Sequence, residues 1–365
     1  MVRVLHVLST LNIGSGIANF VMNYYKKIDR EKIQFDFLLF SEPENTYTND
    51  VQKLGARVYY IPKPSLKNMF KYKQSIDDFF ASHKGEWEVI HLHEVLVQSV
   101  VLPAAKRIGI EKRFVHAHGG NIRISAIKRV RNFFLEFNML KNANRFVACS
   151  DHAAKAEFGG KVKYEVINNA IDIERYIFSP IQVEQIKKEL GINGEQFIVG
   201  TVGRMSIQKN PIFMVEIMKK IINRIPNALF LYIGDGEMRE DIVREINNSG
   251  LNSKFILLGN RKDCNVAMQA IDCFVFPSIF EGLGIAAIEA EASGIYVLAS
   301  DRVPKITKVC NRIEYLPLEE DLWASRIIEL QKLGTFKKVN ALEYMKESIY
   351  SISQNIKRLE ELYLN

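Results

Sequence analysis

The chain has 365 residues, 47% of them hydrophobic and 25% charged, the balance of a folded globular protein and not of a disordered or membrane-spanning one. That length exceeds one ordinary core and suits two domains of about 150–180 residues each. The net charge of +7 admits anionic partners (nucleic acid, a membrane surface, a small phosphorylated substrate) and by itself selects none.

In chain order, short apolar runs alternate with amphipathic stretches. VRVLHVLS predicts a first strand rather than a signal peptide, because the apolar run stops at Asn12 with no cleavage site after it. A glycine loop and a helix around Phe20–Lys27 follow, then the strands FDFLLF and RVYYIP. Ile76, Phe79 and Phe80 share one face of a predicted helix from Lys73 to Ser82. EVIHLH, KRFVHAHG and RFVACS are further strands, with the helix VLVQSVVLPAAKRIG between the first two and Ser150 placed as an N-cap. The pattern pauses at NNAIDIERYIFSP, near Asn168–Phe178, and then restarts with FIVGTVGR, ALFLYIGDG, FILLGN, CFVFPS and YVLAS. Pro211 opens one intervening helix, and others are expected around Val266–Ala270 and Ile285–Ala292. The tail from Ala341 to Leu364 reads as one helix. Near-continuous apolar strands alternating with helices mean parallel sheets covered on both faces, and two such series mean two doubly wound α/β domains.

Cys149, Cys264, Cys273 and Cys310 show neither CxxC spacing nor clustering with His, so they read as reduced thiols of a cytoplasmic protein. No run approaches eighteen apolar residues, so no membrane span is expected. From Asn121 to Arg145, six Lys and Arg interleave with Ile, Val, Leu and Phe against the single acid Glu136. This segment suits either a basic helix lying on an anionic membrane or an ordinary helix packed on its sheet.

Ligands of open parallel sheets bind beyond the carboxyl ends of the strands, so strand-end turns carry most weight. Gly14-Ser15-Gly16 follows the first strand and lets backbone amides approach a phosphate or sugar, although the full dinucleotide fingerprint is missing. Arg204 and Lys209 leave one turn after FIVGTVG and can place two cations on a diphosphate. Glu281-Gly282-Leu283-Gly284 opens a helix carrying Glu289. The glycines expose amides to an anion, and a carboxylate at Glu289 can accept both hydroxyls of a vicinal diol such as ribose. The alternative for these acids is a favourable place near a helix N-terminus. His91, His93, His116 and His118 occupy alternate strand positions. A metal site is disfavoured for want of carboxylates, and a single strand-end His bonding a ligand is preferred, His118 ahead of His116.

In combination, HAHGG, VINNAIDIERY, VGRMSIQKN, IGDGEMRE and EGLGIAAIE with its two glutamates resemble the family 4 retaining glycosyltransferases of the GT-B fold, and among them bacterial exopolysaccharide and capsule enzymes. The resemblance implies two Rossmann-like domains facing across a cleft. Residues 1–170 would bind the acceptor, residues 171–345 the nucleotide sugar, and a helix at 346–365 would return to the first domain. It implies that Arg204 and Lys209 hold the donor diphosphate together with Gly14, Ser15, Gly16, Gly282, Leu283 and Gly284. It places Glu289 at the ribose, Glu281 at the donor sugar or its phosphates, and His118, with His116 as the alternative, beside the donor sugar. No metal or other cofactor is implied, and no DxD pair is found, Asp235-Gly236-Glu237 reading as a turn and helix cap. The expected reaction moves a sugar from a nucleotide diphosphate sugar, a UDP-sugar above others, to a saccharide or polyprenyl-linked acceptor in surface polysaccharide synthesis. No nucleic-acid partner is expected; peripheral contact with the inner face of an anionic membrane is. Relatives carry Gly-Gly-x-Glu in the first loop, where this chain has Ala18 or Asn19 at the acid's place. That departure leaves room for a non-catalytic partner subunit, and the fold itself for a nucleotide-sugar epimerase.

Overall fold

A computed structural model describes residues 1–41, 46–62, 68–94, 97–119 and 137–365. They divide into two compact units, one of residues 1–170 with 352–365 and one of residues 171–351. Each unit is built on one parallel sheet, so the two doubly wound domains expected from the alternating pattern are present.

The first sheet comprises β1 (Val2–Leu8), β2 (Ile33–Leu39), β3 (Val58–Tyr60), β4 (Val89–Leu92), β5 (Lys112–Ala117), β6 (Arg145–Ala148) and β7 (Glu165–Val166), in the order β3-β2-β1-β4-β5-β6-β7. The order reverses between β1 and β4, which is the position where doubly wound sheets bind ligands. Alternate residues of each strand feed opposite faces. Leu5, Val7, Ile90, Leu92 and Val115 pack on one side; Val4, Phe35, Phe37, Val89 and Phe114 pack on the other. The second face is closed by the helix Gly16–Lys27 and by the chain's last helix, Ile352–Leu364, whose Ile352, Leu359 and Tyr363 are buried in that core. Within β2, the fully buried Asp36 is tied to Arg3 at 2.6 Å, to Arg57 at 2.7 Å and to the Trp87 indole at 2.8 Å. Burial would raise its carboxyl, but the two guanidiniums and the indole outweigh it and hold the group below the usual carboxylate range.

The second sheet comprises β8 (Phe197–Val202), β9 (Ala228–Ile233), β10 (Phe255–Gly259), β11 (Cys273–Phe276), β12 (Tyr296–Ser300) and β13 (Ile313–Leu316), in the order β10-β9-β8-β11-β12-β13, with its reversal between β8 and β11. The helix Pro211–Ile221 covers one face through Met214, Ile217, Met218 and Ile221, while Ile198, Leu231, Phe274 and Val297 feed the other.

The tail departs from the single helix expected. It forms Leu342–Lys346 and then, after a break, Ile352–Leu364. Within the break the Ile171 amide donates to the Tyr350 carbonyl oxygen at 2.8 Å, so the chain leaves the second unit as extended backbone before the last helix joins the first. All four cysteines are free thiols. No helix among the described residues is long and apolar enough to cross a membrane. Most of the basic segment Asn121–Arg145, up to residue 136, lies outside the described residues.

Candidate active site

The motifs singled out above fall towards the carboxyl ends of β1, β4, β5, β8, β9 and β11, at the two reversals or one strand away from them. In the first unit, buried Leu11 and Ile13 anchor the loop after β1. Gly14 turns the chain at φ +90° and lies exposed, as does Gly16, beside which an added Cβ would meet nothing within 4 Å. Ser15 caps the helix Gly16–Lys27, its Oγ accepting from the Ala18 amide at 3.5 Å. Ala18 is fully buried, and Asn19 accepts from the Tyr47 hydroxyl at 3.0 Å, so neither supplies an acid to this loop.

Five of the chain's seven histidines collect on the face of the first sheet that bears Tyr363. His6 on β1 stands opposite His91 on β4, and His93, His116 and His118 follow at alternate positions. His6 Nδ1 contacts His93 Nε2 at 2.9 Å, and His93 Nδ1 contacts His118 Nε2 at 2.7 Å. A second line runs from the Tyr363 hydroxyl to His91 Nδ1 at 2.5 Å, and from His91 Nε2 to His116 Nδ1 at 3.1 Å. His6, His91, His93 and His116 are buried, and His118 is partly exposed. Burial holds all five rings below the usual histidine range, so they are neutral at pH 7. Ring nitrogens of His6, His91 and His93, and of His93, His116 and His118, lie within 4.8 Å of one another, close enough to be weighed as metal ligands. The contacts of 2.7 and 2.9 Å are hydrogen-bond lengths, shorter than the roughly 3.3 Å between two imidazoles on one tetrahedral zinc. The sequence pattern placed four of these residues on a common face. His6 escaped it because nothing in VRVLHVLS shows that β1 lies beside β4.

In the second unit the loop after β8 carries Arg204 and Lys209, and the loop after β11 carries Glu281, Gly282, Leu283 and Gly284. Two hydrogen bonds join the loops: the Ile279 amide donates to the Gln208 carbonyl oxygen at 2.8 Å, and the Gln208 side-chain Nε2 to that of Phe280 at 3.0 Å. Lys209 Nζ donates to Glu281 Oε1 at 2.5 Å and stands 4.5 Å from the centre of the Phe276 ring. This pair is largely shielded, with 18% and 7% of the two side chains exposed, whereas Arg204 and its partner Glu237, 2.9 Å apart, lie open to solvent. Gly282 is exposed over open space. Leu283 points into a small core with Ile173, Tyr176 and Ile288, leaving only its backbone to face a ligand. Gly284, at φ +89°, begins the helix Ile285–Ala292, and a Cβ there would press on Phe276, Val303 and Thr307 at 3.2–3.3 Å.

One turn into that helix, Glu289 Oε1 accepts from the Tyr176 hydroxyl at 2.6 Å. Burial raises its carboxyl, opposed by Tyr176, Arg175 and Lys209. Lys209 thus acts on both acids of the motif. Sequence reasoning missed Tyr176 as the group that orients Glu289. Its place in VINNAIDIERY was visible, but its reach across 113 residues was not. Glu291, two residues on, has a different job: it accepts the amides of Val309 at 2.8 Å, Cys310 at 3.4 Å and Arg312 at 3.0 Å and so shapes the loop before β13.

Two doubly wound units, the first with a glycine loop and the second with cationic, acidic and glycine-rich loops at its strand reversal, make a two-domain α/β protein with its strand-end motifs where such folds bind ligands. The family model described as Glycosyltransferase Family 4 matches residues 14–175, and that described as Glycosyl transferases group 1 matches residues 182–314. The chain is 28% identical to EpsF of Bacillus subtilis over 99% of its own length and 96% of that protein. It is 24% identical to the UDP-Gal:alpha-D-GlcNAc-diphosphoundecaprenol alpha-1,3-galactosyltransferase of Escherichia coli, over 100% and 97%. Among solved structures, Anabaena HepE in complex with UDP and glucose shares the fold with a TM-score of 0.80 at 17% identity, over 99% of both chains. The chain belongs to the glycosyltransferases of GT-B type, with a family 4 first domain and a group 1 second domain, and it resembles bacterial exopolysaccharide and capsule enzymes.

Proposed function

We propose that this glycosyltransferase works with retention, moving a sugar from a UDP-sugar to a polyprenyl-linked saccharide in surface polysaccharide synthesis. The observation that carries the donor half of this reading is the grouping of Lys209, Glu281 and Glu289 at the β8/β11 reversal, with Lys209 bonded to one acid and electrostatically coupled to the other. Lys209 and the open Arg204 stabilise the charge that develops on the departing nucleoside diphosphate. Glu281 holds Lys209 in place and faces the donor, Glu289 takes the ribose hydroxyls, and Gly14, Ser15, Gly16, Gly282, Leu283 and Gly284 contribute backbone amides. His118 serves the reacting sugar. With the leaving-group charge met by side chains, the transfer needs no metal ion. The acceptor class is supported by the E. coli relative, whose named acceptor is a diphosphoundecaprenol-linked sugar. Contact with an anionic membrane through Asn121–Arg145 fits such an acceptor.

Calorimetry with UDP and GDP, followed by transfer assays in EDTA, tests the reading. UDP is expected to bind more tightly than GDP. Lys209→Ala and Arg204→Ala each remove a charge-assisted bond of about 1.5–3 kcal/mol, roughly ten- to a hundredfold in UDP affinity. Unchanged UDP binding in both variants overturns the diphosphate assignment. Turnover lost in EDTA and restored by Mg²⁺ or Mn²⁺ overturns metal independence.

A further inference from the structure

His118 is the exposed end of a line of three imidazoles, and a count of their protons limits what it can offer a substrate. His6, His93 and His118 are neutral and carry three ring protons in all. Two of these occupy the two N···N contacts, at 2.9 Å between His6 and His93 and at 2.7 Å between His93 and His118. The third must sit at one end of the line, on His6 Nε2 or on His118 Nδ1. His6 Nε2 is buried and finds no partner among the described residues. Its ring is enclosed by Phe35 at 4.1 Å, Phe37 at 5.8 Å, His91 at 5.2 Å and Tyr363 at 6.3 Å between centroids. A buried N–H left without an acceptor is rarer than a buried acceptor left without a donor. The partly exposed His118 can give its proton to water or to a hydroxyl.

We infer that His6 and His93 are positioning residues that hold His118 in the Nδ1–H form, so that it meets the substrate as a neutral hydrogen-bond donor and not as a base. In this arrangement His6 Nδ1–H donates to His93 Nε2, and His93 Nδ1–H donates to His118 Nε2. That last bond occupies the lone pair a general base would need. Phe20 and His116 fix the plane of the ring, Phe20 edge-on at 5.2 Å and His116 stacked at 4.0 Å between centroids. His118 then bonds an oxygen lone pair of the sugar and removes no proton from the acceptor. The role rests on the assignment of His118 to the reacting sugar, but the tautomer does not.

Long-range ¹H–¹⁵N correlation on the full chain with ¹⁵N-labelled histidine reads each tautomer directly in the ligand-free protein. His118, assigned by the loss of its signals in His118→Gln, is expected as Nδ1–H, and so are His93 and His6. An Nε2–H tautomer at His118 overturns the inference whatever the enzyme's activity. Steady-state kinetics then separate positioning from mere structure. His93→Leu, which can neither donate nor accept, is expected to lower kcat at least tenfold with UDP affinity within twofold. His93→Gln, whose amide can donate to His118 and accept from His6, is expected to recover most of the loss. Equal kcat in Leu and Gln variants that both fold overturns the positioning role. If His118 shows the expected tautomer but His118→Ala turns over normally, the assignment of His118 to the sugar fails and the tautomer stands.

Discussion

Glu289 and His118 separate binding from chemistry at the level of single side chains. A ribose contact is the same in ground and transition states, so Glu289→Ala is expected to weaken UDP binding about tenfold and to leave kcat at saturating donor nearly unchanged. His118→Ala is expected to do the opposite, lowering kcat with UDP affinity within a few fold. If neither wild type nor His118→Ala transfers sugar alone, and both leave a neighbouring transferase equally active, the chain acts as a partner subunit instead. The raised carboxyl of Glu289 adds a pH dependence of definite sign. Only the carboxylate accepts from two hydroxyls, and a raised group loses that form at a higher pH than an ordinary glutamate. Lowering the pH from 7 towards 5 should therefore weaken UDP binding more in wild type than in Glu289→Gln, whose amide does not titrate. Parallel curves by calorimetry would show that Glu289 is not at the ribose.

Strands and turns were the most legible elements, and the reason is burial. A parallel strand covered on both faces is mostly apolar, so FDFLLF, EVIHLH and ALFLYI stand out even with buried, partnered Asp36 and His91 among them, whereas the two-residue edge strand β7 has no pattern to show. The turns after β8 and β11 were legible because glycine is demanded there, but the sequence does not say what each glycine touches. Gly234, at φ +135°, brings the turn after β9 so near the β8 turn that an added Cβ would lie 2.1 Å from the Gly203 carbonyl oxygen. Around it the Gly203 amide donates to the Ile233 carbonyl oxygen at 3.0 Å, and the Met205 amide to that of Asp235 at 3.0 Å. These bonds fix the backbone that launches Arg204 and Lys209. Gly234→Ala combines a forbidden contact with a strained φ and is expected to cost about 3 kcal/mol or more, with loss of UDP affinity. Gly250, at φ +66° with open space beside it, is the control: Gly250→Ala should cost about 1 kcal/mol and spare binding. Similar melting temperatures for the two variants would remove the packing of these two turns as the reason for glycine at 234.

The whole molecule adds a constraint that no local pattern contains: the first unit is discontinuous, completed by the last fourteen residues of the chain. The apolar spacing of the tail showed a helix but not where it packs, and only the family resemblance pointed to a return. In the structure Tyr363 is fully buried against Phe35 and Phe114, its hydroxyl on His91 and its carbonyl oxygen accepting from Lys112 Nζ at 2.8 Å. Glu360 accepts the Asp29 amide at 2.9 Å, and Arg358 pairs with Glu165. Tyr363→Ala empties a large aromatic site and strips His91 of its hydroxyl partner, so a loss of about 3–5 kcal/mol is expected. Tyr363→Phe keeps the ring and removes only the bond to His91, for about 1 kcal/mol. Because the donor side chains Arg204, Lys209, Glu281 and Glu289 all belong to the other unit, and the first unit offers UDP only backbone amides of Gly14, Ser15 and Gly16, most UDP binding below the melting transition should survive both changes. Thermal unfolding followed by calorimetry with UDP at 15 °C separates these outcomes. A Tyr363→Ala protein that melts with wild type would show that the last helix is an appendage. One that stays folded but loses UDP would show that the second unit's side chains do not carry most of the donor affinity.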